Sequence, residues 1–279
     1  MTPVLLSLAA SCCWGVADFA GGLQSRRVAV PVVLALVEGT GLVLVLAVVA
    51  AAGEPFPGTR AVVVSLVAGV AGVLALGCFH RALSIGTMSI VAPISATGVA
   101  LPVIVGVATG DELSALVSAG LAVTVVGVIL ASREAHEDER RAAAGRLSIA
   151  LALIAAVGFG SYFVLSDAAA DDSVWWFLVL SRVIPVPLLI GLAAWRRMPR
   201  PEPRTVLVLA AAGSLDCGAT GLYAYANTKG ALSIVAVVGS LYPVATVLLA
   251  RVVLGERVRP VQRLGVVAAL VGVAMIAGG

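Results

Sequence analysis

Ionisable side chains inside long apolar stretches are the first candidates for chemistry in this sequence. Five residues fit that description: Asp18, Glu38, His80, Arg182 and Asp216. An ionisable group at membrane depth costs about 2.5–3.5 kcal/mol on insertion scales, so such groups usually face a bundle interior or a water-filled cavity. There they can bind a polar solute, neutralise one another or carry a proton. No G-x-S-x-G or H-E-x-x-H motif accompanies them, which leaves an intramembrane enzyme as a distant alternative.

The composition indicates that these residues do lie in a membrane. The chain has 279 residues, of which 61% are hydrophobic and 12% charged. That leaves too little polar surface to cover a water-soluble globule. About 20 apolar residues form a helix that crosses the hydrocarbon core. We predict ten such helices, approximately over residues 3–23, 30–52, 60–82, 87–108, 114–132, 147–166, 174–195, 204–226, 231–253 and 261–278.

Asp18 lies about two thirds of the way along the first predicted span. Trp14 precedes it by four residues and therefore shares its helix face. An aromatic ring and an acid on one face are more typical of a cavity wall than of a lipid contact. The alternative is that Asp18 only reaches the polar interface near Arg26 and Arg27, as charges near helix ends often do.

Arg182 and Asp216 are predicted to lie at similar depths in the seventh and eighth spans. An acid and an arginine at one level can neutralise each other, and such a pair can open to bind an anion. Glu38 is a second possible partner of Arg182. A static ion pair that only fixes helix packing is the alternative.

Proline residues in the fourth and ninth spans, among them Pro93 and Pro243, free backbone carbonyls at membrane depth. Free carbonyls are tolerated where they meet a cavity or polar groups, and Ser95 and Tyr242 can supply such groups. We therefore predict that these two residues flank a central site, together with Tyr223 at the end of the eighth span. The alternative is that the prolines only curve the helices.

The sequence also contains an internal repeat. With a shift of 144 residues, SIVA at 89–92 falls on SIVA at 233–236, Glu112 falls on Glu256, and Glu38 falls on Arg182. Five spans is an odd number, so the second half must enter the membrane from the opposite side, which predicts an inverted repeat. The expected fold is an all-α polytopic membrane protein with a first repeat over 1–132, a charged linker over 133–146 and a second repeat over 147–279.

Three stretches carry a family resemblance. The segment YAYANTKGALSIVAVVGSLYPVATVLLARVVLGER at 223–257 resembles the ten-helix EamA-type branch of the drug/metabolite transporter superfamily. The segments WGVADFAGGLQSRR at 14–27 and FHRALSIGTMSIVAPISATGVALPVIVGVATGDE at 79–112 resemble its first repeat. The first repeat departs from the family pattern at Asp111-Glu112, where Gly-Glu is usual. The resemblance implies transport but no particular substrate, because the family carries amino acids, sugars, nucleotide derivatives and other metabolites.

These observations predict a secondary active transporter of a small polar metabolite, amino-acid-like and exported, that works by alternating access. A sugar or nucleotide-derivative permease and a drug efflux carrier are alternatives, and a channel or a non-transporting scaffold is more remote. The predicted substrate or ion site consists of Trp14, Asp18, Glu38, Ser95, Arg182, Asp216, Tyr223 and Tyr242. Any of the three acids could carry a coupling proton. No cofactor, metal or nucleic acid is expected, and the chain is a monomer or a homodimer.

The basic residues predict the orientation. Arginines concentrate in the connections that follow the odd-numbered spans, whereas the opposite connections carry Arg60 and Lys229. The positive-inside rule then makes the arginine-rich connections cytoplasmic and puts both termini outside the inner (plasma) membrane. His80 with Arg81 is predicted to anchor the third span at the interface. Glu112 and Glu256 are predicted to act as helix caps or interface contacts.

Overall fold

The computed structural model describes residues 2–101, 105, 114–131, 139–170, 173–227, 239, 241–256 and 259–278, and within these ranges the regular elements are helices. Their order is α1 (Thr2–Gln24), α2 (Val30–Ala52), α3 (Thr59–Ile85), α4 (Met88–Ala96) with a 3₁₀ turn at Thr97–Val99, α5 (Ala115–Ala131), α6 (Glu139–Ala170), α7 (Val174–Val183), α8 (Pro185–Trp195), α9 (Pro203–Asn227), α10 (Tyr242–Val253) and α11 (Pro260–Gly278).

Six stretches of the described residues are helical, long and apolar enough to cross a membrane. They are Thr2–Gln24, Val30–Ala52, Thr59–Ile85, Ala143–Ser166, Val174–Trp195 and Pro203–Ala226. Helices α5, α10 and α11 are also apolar but shorter, and together with α4 they fall on the other four predicted spans. The described part of the chain is therefore helical, and its long apolar helices are those of a polytopic membrane protein.

Helices α3 and α6 extend furthest beyond their predicted boundaries. Helix α3 continues to Ile85, past the predicted end at residue 82. Helix α6 begins at Glu139, inside the predicted linker, while residues 132–138 lie outside the described residues. The segment ERRAAAGR is rich in alanine, glutamate and arginine, all strong helix formers, so the charged connection extends the helix that follows it.

The seventh predicted span is divided by proline. Helix α7 ends at Val183 and α8 begins at Pro185, because the proline ring removes a backbone donor and clashes with the preceding turn. Pro243 instead lies in the first turn of α10, where a missing N–H costs nothing. The break after α7 leaves Arg182 in the last turn of a half-helix.

Helices of the first half pack mainly against helices of the second. The most extensive pairings are α5 with α11, α3 with α6, and α1 with α9, followed by α2 with α9 and α1 with α10. Helix α2 also packs on α7 and α8, and α4 packs on α10. The seam between the halves therefore runs through the centre of the bundle.

Glycines allow the closest of these approaches. Gly69 of α3 lies against the backbone of Ser181 in α7, and Gly213 of α9 lies against the backbone of Val37 in α2. A Cβ at either glycine would overlap the facing main chain. Glycine is therefore required at both positions, because any larger residue would separate the helices.

Glu256 links the two halves at one end of the bundle. Its carboxylate accepts hydrogen bonds from the backbone N–H of Met88 (3.1 Å) and from the N–H and hydroxyl of Ser89 (2.9 Å each). It also pairs with Arg26 at 3.3 Å. A carboxylate at the start of α4 complements the unpaired N–H groups and the helix dipole. This confirms the predicted cap for Glu256, whereas Glu112 lies outside the described residues.

Candidate functional site

A cavity of about 110 Å³ lies at the seam between the halves. That volume is several times the roughly 10–15 Å³ that one water molecule requires, so the cavity has room for a small solute. Helices α1, α2 and α3 contribute to its wall from the first half, and α6, α7, α8, α9 and α10 from the second. The lining residues are Trp14, Asp18, Glu38, Gly69, Gly72, Val73, Leu76, Phe159, Tyr162, Phe163, Ser181, Arg182, Pro185, Asp216, Thr220 and Tyr242.

The guanidinium of Arg182 forms the charged centre of this cavity. Its Nε lies 3.0 Å from Oε2 of Glu38, and its Nη2 lies 3.1 Å from Oδ2 of Asp216. Its Nη1 donates a hydrogen bond to the carbonyl of Leu178 at 3.1 Å. The side chains of Arg182 and Glu38 are 5% and 8% exposed and that of Asp216 is 19% exposed, so this three-residue cluster is largely shielded. We refer to these three residues as the charged cluster.

Local structure explains why the guanidinium fits here. Arg182 occupies the last turn of α7, directly before the proline break. On the facing helix α2, a Cβ at Gly41 would lie 3.1 Å from the arginine Nε, so the missing side chain leaves space for the guanidinium. The Sγ of Cys217 lies 3.5 Å from the Gly41 carbonyl and holds α9 at the same level.

Asp18 and Trp14 face the cavity from α1. Both residues are partly buried and line its wall. The Trp14 indole is close enough to the Asp216 carboxylate to act on it electrostatically, which connects it to the charged cluster. Asp18 is close enough to Asp216 and Tyr242 to interact electrostatically with both. Asp18 therefore lies on the cavity side of α1, although a role in binding stays a prediction.

Aromatic rings form much of the remaining wall. Tyr162 packs on Phe177 with ring centroids 5.5 Å apart, and Phe163 of the same helix lies on the cavity surface. Trp14 and Tyr242 complete this wall from α1 and α10. The cavity thus combines several carboxylates with aromatic faces, an arrangement suited to amphipathic solutes.

Two residues of the predicted site do not line the cavity. Ser95 is fully buried in α4, where its hydroxyl donates to the carbonyl of Ala152 at 3.4 Å. Tyr223 lies one layer behind the wall, with its ring centroid 5.4 Å from that of Trp14 and 6.3 Å from that of Phe163. Both side chains thus contact protein groups outside the cavity lining, and a role in binding stays a prediction for each.

His80 also differs from its predicted role. It is 2% exposed, its Nδ1 lies 3.4 Å from the Ser25 hydroxyl, and its ring packs on Gly21. Because α3 continues to Ile85, His80 lies inside the helix and does not anchor a lipid interface as predicted.

The aromatic residues Phe159, Tyr162 and Phe163 were not identified from the sequence. The segment GFGSYF at 158–163 interrupts a run of alanine and valine in the middle of a span, and this clustering is the signal that could have revealed them. Thr220, one turn after Asp216, is a further lining residue that the sequence prediction did not include. Among the residues that the structure describes, no group of histidine, cysteine and acidic side chains could hold a metal ion.

Comparison with known proteins gives two matches of different kinds. The sequence model of the EamA-like transporter family matches residues 146–278. The fold matches 23 solved chains, among them one titled only "Crystal structure of protein", which is 16% identical, has a TM-score of 0.64, and aligns over 98% of this chain and 96% of its own length. At that identity the likeness shows a shared fold alone. No curated protein matches the chain significantly.

Proposed function

We propose, from the match of residues 146–278 to the EamA-like transporter family, that this chain is a secondary active transporter of a small polar metabolite. The family is part of the drug/metabolite transporter superfamily, and the match supports a membrane transporter of that type. The proposal adds a mechanism, alternating access, and a site, the cavity around the charged cluster. Export and proton coupling complete the hypothesis and are tested with it.

The location of the cavity is the observation that carries this proposal. Glu38 comes from the first half and Arg182 and Asp216 come from the second, so the charged cluster spans the seam. A relative movement of the halves would therefore act directly on the groups that face a bound solute. Ionisable residues at such an interface are typical of transport pathways.

An inverted repeat is part of the proposal, and reciprocal contacts support it. Gly69 and Gly213 are separated by 144 residues, as are the residues they touch, Val37 and Ser181. Contact between i and j, together with contact between their repeat counterparts, is the mark of an isologous, two-fold arrangement. With five spans in each half, such an axis would lie in the membrane plane.

The same reciprocity occurs at a distance from the cavity. A Cβ at Gly127 of α5 would overlap Ala269 of α11, and a Cβ at Gly272 of α11 would overlap Thr124 of α5. Both correspondences follow a shift of 145 residues. Glu38 and Arg182 are themselves counterparts at a shift of 144, and residues that touch their own counterparts lie near the axis. The charged cluster therefore lies near the axis about which the two halves would move between the two states of alternating access.

The first prediction concerns transport itself. Purified protein in liposomes should exchange a labelled metabolite for unlabelled internal metabolite, with amino acids, sugars and amines as the compounds screened. We expect Asp216→Asn to lower this counterflow about tenfold or more, because a hydrogen bond to a charged group is worth roughly 1.5–3 kcal/mol. Ser214→Ala is the matched control, since that exposed hydroxyl on the same helix bonds only the Ala210 carbonyl.

Several outcomes would reject parts of the proposal. Flux without counterflow would indicate a channel, and no flux of any compound would indicate a scaffold. Equal counterflow in Asp216→Asn and Ser214→Ala would remove the charged cluster from the pathway. An imposed pH gradient that leaves accumulation unchanged would exclude proton coupling, and the sign of any response would establish the direction of transport.

A further inference from the structure

The cavity contains more acidic groups than its single guanidinium can pair with. Three carboxylates, those of Asp18, Glu38 and Asp216, line it together with Arg182. The guanidinium contacts Glu38 through Nε and Asp216 through Nη2, and its Nη1 donates to Leu178. All three guanidinium nitrogens therefore lie beside acceptor groups of the protein, although the Nε–H is not aligned for a hydrogen bond to Glu38. Among the described lining residues, no other cation is available to an anionic substrate.

Asp18 differs from the other two acids. It forms no ion pair or hydrogen bond with the part of the chain that the structure describes, and the charged residue that acts on it is the like-charged Asp216. A carboxylate in a largely apolar wall requires a compensating partner to stay ionised. The cavity leaves this side chain partly exposed, so a solute can supply the partner.

The surroundings of Asp18 specify what else that solute carries. Trp14, four residues earlier, and Tyr242, on α10, border the acid, and the rings of Phe159, Tyr162 and Phe163 lie on the same cavity surface. Aromatic faces attract cations through their quadrupole and also bury apolar surface. An unpaired carboxylate beside aromatic faces matches an ammonium group attached to an apolar body.

We propose that the cavity recognises a cationic amine, with the ammonium at Asp18 and the apolar body against the aromatic rings. This inference rests on the proposed transport function and narrows its substrate class. In this arrangement the positive charge of the substrate provides most of its binding energy. A carboxylate on the substrate would find no partner, because Arg182 is already shared by Glu38 and Asp216. A zwitterion should consequently bind less well than the corresponding amine.

A series of compounds with one aromatic body and different charges tests this directly. The probes are 2-phenylethylamine, phenylalanine and 3-phenylpropionate, and binding to the purified protein in detergent is measured by calorimetry. We expect the amine to bind roughly tenfold or more tightly than the acid, with phenylalanine between them. Asp18→Asn should remove most of the preference for the amine, whereas Glu54→Gln, outside the cavity, should preserve it.

The order of affinities in the unmodified protein decides the matter even if Asp18→Asn fails to fold. Equal or tighter binding of 3-phenylpropionate, or no binding of any of the three, would overturn the inference. Amine binding that is unchanged in a folded Asp18→Asn protein would overturn it as well. Counterflow of an anionic metabolite in liposomes would preserve the transport function while rejecting a cationic substrate, so the two failures are distinguishable.

Discussion

Replacing Arg182 by glutamine is expected to destabilise the folded protein by about 3–5 kcal/mol, because it leaves two buried carboxylates without their counter-ion. Glu38 and Asp216 lie 3.0 and 3.1 Å from the guanidinium and are largely shielded from solvent. Without the guanidinium, the two carboxylates face each other across the seam with no counter-ion. Unfolding in mixed detergent micelles, followed by circular dichroism, measures the loss.

Two further variants separate charge balance from loss of packing. In the triple variant Arg182→Gln, Glu38→Gln, Asp216→Asn, no charged group of the cluster remains, and we expect most of the stability to return without any counterflow. Arg204→Gln, at an exposed arginine near the start of α9, should leave both properties unchanged. A single Arg182→Gln protein as stable as the unmodified chain would show that the two ion pairs do not hold the seam together.

Substitution of Gly69 by alanine should be nearly as damaging, although it adds only one methyl group. The Cβ would overlap the main chain of Ser181, which cannot move aside as a flexible side chain would. Overpacking of this kind costs about 1–3 kcal/mol, and a backbone contact belongs at the upper end of that range. The displacement of α7 from α3 should also shift Arg182, so counterflow should fall together with thermal stability.

Gly191 provides the matched control. It lies on the exposed surface of α8, and a Cβ there would meet nothing within 4 Å. Gly191→Ala should keep the melting temperature of the unmodified protein or raise it slightly, since alanine is the better helix former. If the two alanine variants melt at the same temperature, the close approach of α3 and α7 does not contribute to stability.

The sequence predicted those features that depend on hydrophobicity and on the repeat. Continuous apolar runs gave the extent of α2 correctly, whereas the seventh span, predicted as one helix over 174–195, is divided at Pro185. The shift of 144 residues aligned Glu38 with Arg182, and the structure brings the two side chains into contact. A local pattern is sufficient for span length, because the thickness of the hydrocarbon core does not depend on neighbouring helices.

Side-chain direction in an apolar span could not be predicted in the same way. A helix that is hydrophobic on all sides has no polar face from which to infer its rotation, so Ser95 and Tyr223 were assigned to a wall they do not line. For the same reason the aromatic residues of α6 were not recognised. The extra turns of α6 depend on helix propensity in a charged segment that had been assigned to a linker.

The central claim, a cavity at the seam that opens to either side of the membrane, is tested most directly by accessibility. The native cysteines Cys12, Cys13, Cys78 and Cys217 are first replaced by alanine. A single cysteine is then placed at Val73, which lines the cavity, or at the adjacent Leu74, which is 64% exposed on the outer surface of α3.

A membrane-impermeant maleimide is applied to oriented vesicles from each side in turn. Alternating access predicts that Val73→Cys reacts from both sides, with substrate changing the balance, and that lipid-facing Leu74→Cys reacts from neither. Reaction of Val73→Cys from one side only, or from neither side, would contradict the account.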